Sequence, residues 1–295
     1  MIPRLRIMTS LLITPMITPF DSRGNIDYDA AGLLISRLES SRVDALFPLG
    51  STGLFPWLSV EERKKFTEFV VQHTRLPVYV GVGSPNAEEA ILLSRHAEDC
   101  GAYCGVIMPP YYIRPGRTEM RDFFRSVFSS TEFRFYLYNI PQLAGTQIPI
   151  DLALELKDEF DGVLGMKESS ADMRYFSDLN ASRTKKFKLL QGQDDMLLAS
   201  LAMGADGGVC GTTNLTSDAQ NLRDLFDRGN FLESSAIHNK KVVPLMHALN
   251  LSTFPSGYYY GTYRATGISG GYRTPMSEPD QSVMLAIDGF ITPSS

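Results

Sequence analysis

Lys167 closes the apolar run Gly162-Val163-Leu164-Gly165-Met166, a placement that none of the other eight lysines shares. Lys64, Lys65, Lys157, Lys240 and Lys241 fall in helical patterns, and Lys185, Lys186 and Lys188 lie between a helix and the next strand. An ammonium at the end of a buried strand is costly unless it is paired or deprotonated. A lysine stripped of water gives up its proton more readily and then forms imines with carbonyl compounds. A salt bridge to Glu168 or Asp194 accounts for the same placement, and spacing alone leaves both readings open. Tyr138 ends the preceding strand-like run, so its phenol could shuttle protons at the same place or be a core aromatic with a wet tip. Ser51 and Thr52 sit in the Gly-flanked turn Gly50-Ser51-Thr52-Gly53. Their hydroxyls and backbone N–H groups could hold a carboxylate, or they could be ordinary turn residues.

Other chemistries find less support. His73, His96, His238 and His247 show no metal-ligand spacing, and Cys100 and Cys104 are not a CxxC pair, so no metal is expected. No strand-like run leads into a GxSxG elbow, and no P-loop occurs. Gly81-Val82-Gly83-Ser84-Pro85-Asn86 imitates a dinucleotide turn without its third glycine. Tyr258-Tyr259-Tyr260 reads as a packed or interfacial aromatic cluster.

The elements that must position these residues alternate along the chain. Strand-like runs fall at 10–17, 45–49, 78–82, 105–108, 133–138, 162–166, 188–191 and 207–210. They are short and nearly continuous in apolar residues, as strands buried on both faces should be. Helical patterns separate them at 27–40, 59–72, 87–100, 118–129, 151–160, 172–182, 195–203 and 217–228, the second opened by the capping box Ser59-Val60-Glu61-Glu62. Eight βα units predict an α/β fold, a (β/α)8 TIM barrel over residues 1–228, with 229–295 as a C-terminal helical extension packed on it. In such barrels the active site lies at the C-terminal ends of the strands, where Lys167, Tyr138, Ser51 and Thr52 all fall.

Composition narrows the classes further. The 295 residues are 43% hydrophobic with a net charge of −5 and no basic run, which argues against nucleic acid as a partner. No apolar run approaches the ~20 residues of a membrane span. The opening stretch, two arginines and then an apolar segment, is interrupted by prolines and reads as a strand rather than a leader. Three cysteines cannot all pair with one another, which points to a reducing, cytoplasmic setting.

Taken together and in order, Gly50-Ser51-Thr52-Gly53, Pro110-Tyr111-Tyr112, Tyr138-Asn139-Ile140-Pro141 and Gly165-Met166-Lys167-Glu168 resemble the dihydrodipicolinate synthase / N-acetylneuraminate lyase family. The resemblance runs from about Thr14 to Asn214, and Gly192-Gln193-Asp194-Asp195 and Gly204-Ala205-Asp206-Gly207-Gly208 add to it. It implies that Lys167 forms an imine with a 2-keto acid and that Tyr138 moves the proton of the C4 hydroxyl. It further implies that Ser51 and Thr52 bind the carboxylate and that Gly192, Gly208 and Val209 line the pocket. Tyr112 would reach a neighbouring subunit's site, implying a homotetramer built as a dimer of dimers. No metal or organic cofactor is implied, because the lysine serves as electron sink. The expected partner is a small-molecule 2-keto acid, with neither nucleic acid nor membrane.

Within the family, Gln142-Leu143-Ala144-Gly145 stands where dihydrodipicolinate synthases carry an arginine, and Leu54 follows Gly53 where Glu is usual. Gly53-Leu54 with Pro56, Ile17-Thr18-Pro19-Phe20, Tyr136-Leu137-Tyr138-Asn139 and Gly271-Tyr272-Arg273-Thr274-Pro275 resemble archaeal 2-keto-3-deoxygluconate aldolases. Reversible cleavage of that sugar acid to pyruvate and glyceraldehyde is the expectation. N-acetylneuraminate lyase, a related sugar-acid dehydratase and a silent sugar-acid sensor are the alternatives. Arg114 and Arg117 could hold a 6-phosphate or form a solvated loop pair. Arg114 is offset by one from the position expected of phosphate-accepting relatives, and the unphosphorylated substrate is expected.

Overall fold

A computed structural model describes residues 10–291. The nine residues before them, which carry both arginines of the opening stretch, lie outside the described residues. The eight strands are β1 (Leu11–Thr14), β2 (Ala45–Leu46), β3 (Tyr79–Gly81), β4 (Cys104–Ile107), β5 (Phe135–Asn139), β6 (Val163–Glu168), β7 (Lys188–Gln191) and β8 (Gly207–Val209). Their ladders are all parallel and run in the order β2-β1-β8-β7-β6-β5-β4-β3. The β2–β3 seam closes through a single parallel bridge, Leu46 to Val78, helped by the bond from Gly81 N to Pro48 O at 3.1 Å. The expected TIM barrel is therefore present.

The outer layer follows its capping signals. Helices α1 (Tyr28–Ser40), α2 (Val60–His73), α3 (Ala87–Asp99) and α4 (Arg117–Phe128) alternate with the first five strands. Asp27 and Asn86 cap α1 and α3 by accepting from first-turn N–H groups. The Ser59 box forms as the sequence predicts, with Glu62 N donating to Ser59 Oγ at 3.2 Å and Ser59 N to Glu62 Oε2 at 2.9 Å. A short α5 (Pro141–Ala144), absent from the sequence reading, follows β5 because Pro141 presets the first turn and Gly145 ends it at φ 76°. Then come α6 (Ile150–Glu159), α7 (Met173–Ser182), α8 (Leu197–Ala202) and α9 (Asp218–Asp227).

Most boundaries differ from the sequence reading by a few residues, the first strand ending at Thr14 rather than Ile17, and three differences bear on the site. The second strand ends at Leu46 rather than Leu49, since Leu49 turns the chain at φ 59°. The sixth runs on to Glu168, which makes Lys167 itself a strand residue. The helical pattern read at 195–203 begins with a 3-10 turn at Asp194–Met196, ahead of α8.

Beyond the barrel lie α10 (Phe231–Ile237), a π turn (His238–Val242), α11 (Val243–Leu249), α12 (Ser256–Thr266) and α13 (Gln281–Asp288). Tyr259 stacks on Phe20 with centroids 5.9 Å apart, and Thr18 N donates to its hydroxyl at 3.1 Å. Phe20 N likewise donates to Tyr263 OH at 3.2 Å. The aromatic run thus ties α12 to the loop after β1, with polar tips satisfying backbone groups that would otherwise be buried unpaired.

Candidate active site

Lys167 and Tyr138 sit side by side because β5 and β6 pair in parallel with Tyr138 opposite Lys167 and Asn139 opposite Glu168. Lys167 is 6% exposed. Its Nζ lies 3.9 Å from the centroid of the Tyr138 ring and 4.9 Å from that of Phe47. Phe47 meets Tyr138 edge-on at 6.3 Å, so the two rings wall the lysine. The Tyr138 hydroxyl is 3.3 Å from Ser51 Oγ.

Neither carboxylate offered by the sequence pairs with Lys167. Glu168 accepts from Asn139 Nδ2 at 2.6 Å and from the backbone N–H of Ser170. Asp194 accepts from Gly211 N at 3.0 Å, Thr212 N at 2.8 Å and Thr212 Oγ1 at 2.6 Å. Burial pushes both carboxyls above the usual range, opposed by those hydrogen bonds. Among the described residues Lys167 has no ion pair.

Lys167 and Tyr138 open onto a cavity of about 230 Å³ that Thr52, Gly192 and Val209 also line. Gly192 is required by space: a Cβ there would stand 1.9 Å from Ser169 Oγ and 3.0 Å from Lys167 Cε. The turn carrying Ser51 and Thr52 is held by Thr18 Oγ1 donating to Gly53 O at 2.7 Å. Its flanks, Leu49 and Leu54, adopt φ of 59° and 56°, strain of the kind that persists where surrounding packing enforces it.

Some expected residues stand elsewhere. Ser51 backs Tyr138 rather than lining the cavity. Gly208 is not among the lining residues; a Cβ there would lie 2.5 Å from Leu197 Cδ1 of α8, because neighbours on a strand face opposite ways. Tyr112, 94% exposed at φ 74°, and Arg114 line a surface hollow beside Pro85 and Glu119 instead. Arg117 opens α4, bound by Asp151 at 2.8 Å and Glu155 at 2.7 Å, so it is not offered to a ligand.

The sequence reading missed the rest of the wall. Gln142 and Leu143 come from α5, and Met246, Asn250, Phe254 and Tyr258 from the α11–α12 region. Pro141 after the Tyr-Asn motif could have signalled α5. Nothing in the tail's composition signals that it covers the mouth. On the outer layer, Glu68, His96 and Cys100 bring one ligand atom each to within 4.8 Å of one another, a grouping across two helices that the sequence reading did not single out. His96 lies on α3 and Cys100, four residues on, caps it, a spacing the sequence displays.

Comparison with known proteins gives the family. The Dihydrodipicolinate synthetase family matches residues 8–291. An uncharacterized DapA-like lyase of Thermoplasma acidophilum is 46% identical over 282 residues, 95% of this chain and 97% of the relative. The 2-dehydro-3-deoxy-D-gluconate/2-dehydro-3-deoxy-phosphogluconate aldolase of Picrophilus torridus is 41% identical over 88% of this chain and 97% of its own. A solved 2-keto 3-deoxygluconate aldolase from Picrophilus torridus superposes with a TM-score of 0.90 at 40% identity, covering 92% of this chain and 99% of that one.

Proposed function

The chain belongs to the dihydrodipicolinate synthetase family and is a carbon–carbon lyase of the pyruvate-dependent aldolase class; from that premise we propose that it cleaves 2-keto-3-deoxygluconate through an imine on Lys167. The observation that carries the proposal is a buried lysine with no carboxylate partner among the described residues, walled by Phe47 and Tyr138 at a cavity. The Lys167 amine adds to the C2 carbonyl, water leaves, and the cationic imine draws the electrons of the C3–C4 bond. Tyr138 takes the proton of the C4 hydroxyl as the aldehyde departs, and the remaining enamine is protonated and hydrolysed to pyruvate. The lysine supplies the electron sink, so the reaction draws on no metal or organic cofactor.

Thr52 and the backbone of its turn hold the C1 carboxylate, and Ser51 keeps the Tyr138 hydroxyl aimed. Gly192 and Val209 shape the wall, while Gly208 acts behind it by packing. Tyr112 projects from this chain to complete the site of a second copy in a dimer of dimers. The engagement of Arg117 by Asp151 and Glu155 favours the unphosphorylated sugar acid.

The test is intact-protein mass spectrometry after incubation with pyruvate and borohydride, followed by peptide mapping. A pyruvate-derived adduct on Lys167, absent in Lys167→Ala together with turnover, is the expected result. A folded protein without the adduct refutes the imine. Assay of pyruvate with glyceraldehyde or with N-acetylmannosamine, and of water release without cleavage, identifies the reaction.

A further inference from the structure

Two adjacent outer helices place three metal-ligating side chains together, away from the barrel mouth. Glu68 lies on α2, and His96 on α3. Cys100 follows α3 as its C-terminal cap, with Cys100 N donating to His96 O at 3.0 Å, so it continues the helical spiral and shares a face with His96. His96 Nε2 is the apex of the group, 3.2 Å from Glu68 Oε1 and 3.5 Å from Cys100 Sγ.

The two spacings about His96 match those around a tetrahedral zinc ion, and the third, from Glu68 to Cys100, lies within 4.8 Å. Bonds of about 2.0–2.1 Å to nitrogen, about 2.3 Å to thiolate sulfur and about 2.0–2.2 Å to carboxylate oxygen separate N from S by about 3.6 Å and N from O by about 3.3 Å. The donor set of imidazole, thiolate and carboxylate suits zinc better than magnesium or calcium, which prefer oxygen ligands throughout. The His96 side chain is 17% exposed and that of Glu68 46%, so the group has one sheltered anchor and one arm that can close on an ion from solvent. The nearby ammonium of Lys64 is turned to Glu61 at 3.6 Å. Cys104 and Cys210 are buried, leaving Cys100 as the partly exposed thiol of the three.

We propose that Glu68, His96 and Cys100 bind a zinc ion that clamps α2 to α3, with water as fourth ligand. Binding exchanges protons for metal without redox change. Cys100 Sγ–H releases its proton to solvent as the S–Zn bond forms. His96 gives its Nε2 lone pair and carries the ring proton on Nδ1, leaving its present contact with Lys64 O at 3.2 Å.

The experiment titrates the chelator-treated full chain with Co²⁺ as spectroscopic probe, then with Zn²⁺. The expected result is one equivalent of Co²⁺ bound with intense tetrahedral d–d bands and a thiolate-to-cobalt charge-transfer band, both erased when Zn²⁺ is added. Cys100→Ser removes the charge-transfer band, and His96→Gln weakens binding about tenfold or more. Zn²⁺ raises the Tm of the parent chain and not that of Cys100→Ser. Aldolase turnover of both variants, far from the mouth, reports that they fold. If either does not fold, Glu68→Gln at the exposed arm serves in its place and weakens Co²⁺ binding. Weak octahedral bands, no binding, or a charge-transfer band that survives Cys100→Ser overturns the proposal and leaves a hydrogen-bonded trio without metal.

Discussion

Around Lys167 the two carboxylates that its place in the sequence offered are already engaged, Glu168 by Asn139 and Ser170 and Asp194 by the loop after β8. That division of labour leaves the amine facing aromatic walls and the cavity. Tyr138 differs in kind, because its hydroxyl is needed only for bond cleavage. Tyr138→Phe is expected to retain the borohydride-trapped pyruvate adduct while cleavage falls by ~10²–10⁴-fold, the usual scale of general acid–base help. Wild-type cleavage in that variant, read by single-turnover kinetics, removes Tyr138 from the proton transfer. Gly192 makes a sharper geometric test. In Gly192→Ala the added methyl meets Ser169 Oγ and Lys167 Cε, so kcat/KM should drop by about tenfold or more, on the scale of mispositioning a reacting group. Adding Ser169→Ala removes the harder clash, and the double variant should recover part of that loss; equal activities in the two would show that the clash is not the cause.

At the scale of elements, a strand boundary decides the chemistry. Had β6 ended at Met166, Lys167 would stand in a loop; its ladder to β5 and β7 instead fixes the amine opposite Tyr138. A second link joins the tail to the outer layer. Arg273 donates to both oxygens of Glu62, at 2.6 and 3.1 Å, to Gly24 O at 2.7 Å and to Trp57 O at 3.3 Å. Glu62 is also the reciprocal member of the α2 capping box. The Arg273 guanidinium, and then the Ser59 N–H, hold the Glu62 carboxyl below the usual glutamate range. A depressed carboxyl stabilises the fold above its unfolded-state pKa, and that contribution fades as pH falls through its folded-state value. Glu62→Gln should therefore lower Tm by a few degrees at pH 7, and its deficit should shrink steadily as the pH is taken below the ordinary glutamate range. A deficit independent of pH, measured by thermal melts across that window, would locate the loss in packing instead.

The scale of the whole molecule accounts for Tyr112, which stands outside the cavity. Tyr112 is nearly fully exposed and neighbours the exposed Ile113, a poor arrangement for an isolated chain and a sensible one for a second copy. If Tyr112 completes a neighbour's site, Tyr112→Ala lowers turnover in the homo-oligomer. Unfolding and refolding a mixture of Tyr112→Ala and Lys167→Ala chains should then restore activity above that of either alone, since hybrids contain sites with both residues intact. No gain on mixing, with hybrids verified by native mass spectrometry, places Tyr112 outside the neighbour's chemistry. Turning to membranes, no described helix is long and apolar enough to cross one.

The eight βα alternations, the capping signals and the four ordered motifs were legible along the chain, because strand burial, helix caps and turn chemistry act over a few residues. The barrel and the neighbourhood of Lys167 and Tyr138 follow from that local information once parallel strands must close on themselves. The α5 turn, the cover formed by Met246, Asn250, Phe254 and Tyr258, the retreat of Gly208 behind the cavity and the meeting of Glu68 with His96 and Cys100 were not legible. The α5 turn had a local signal in Pro141 that went unread; the others depend on which face a residue presents and on partners tens to hundreds of positions away. Sequence by itself determined what kinds of side chain reach the strand ends. Only the tertiary structure decided that Glu168 and Asp194 were already engaged, and so that Lys167 has no ion pair among the described residues: hydrogen bonds between distant segments are settled by packing, not by spacing.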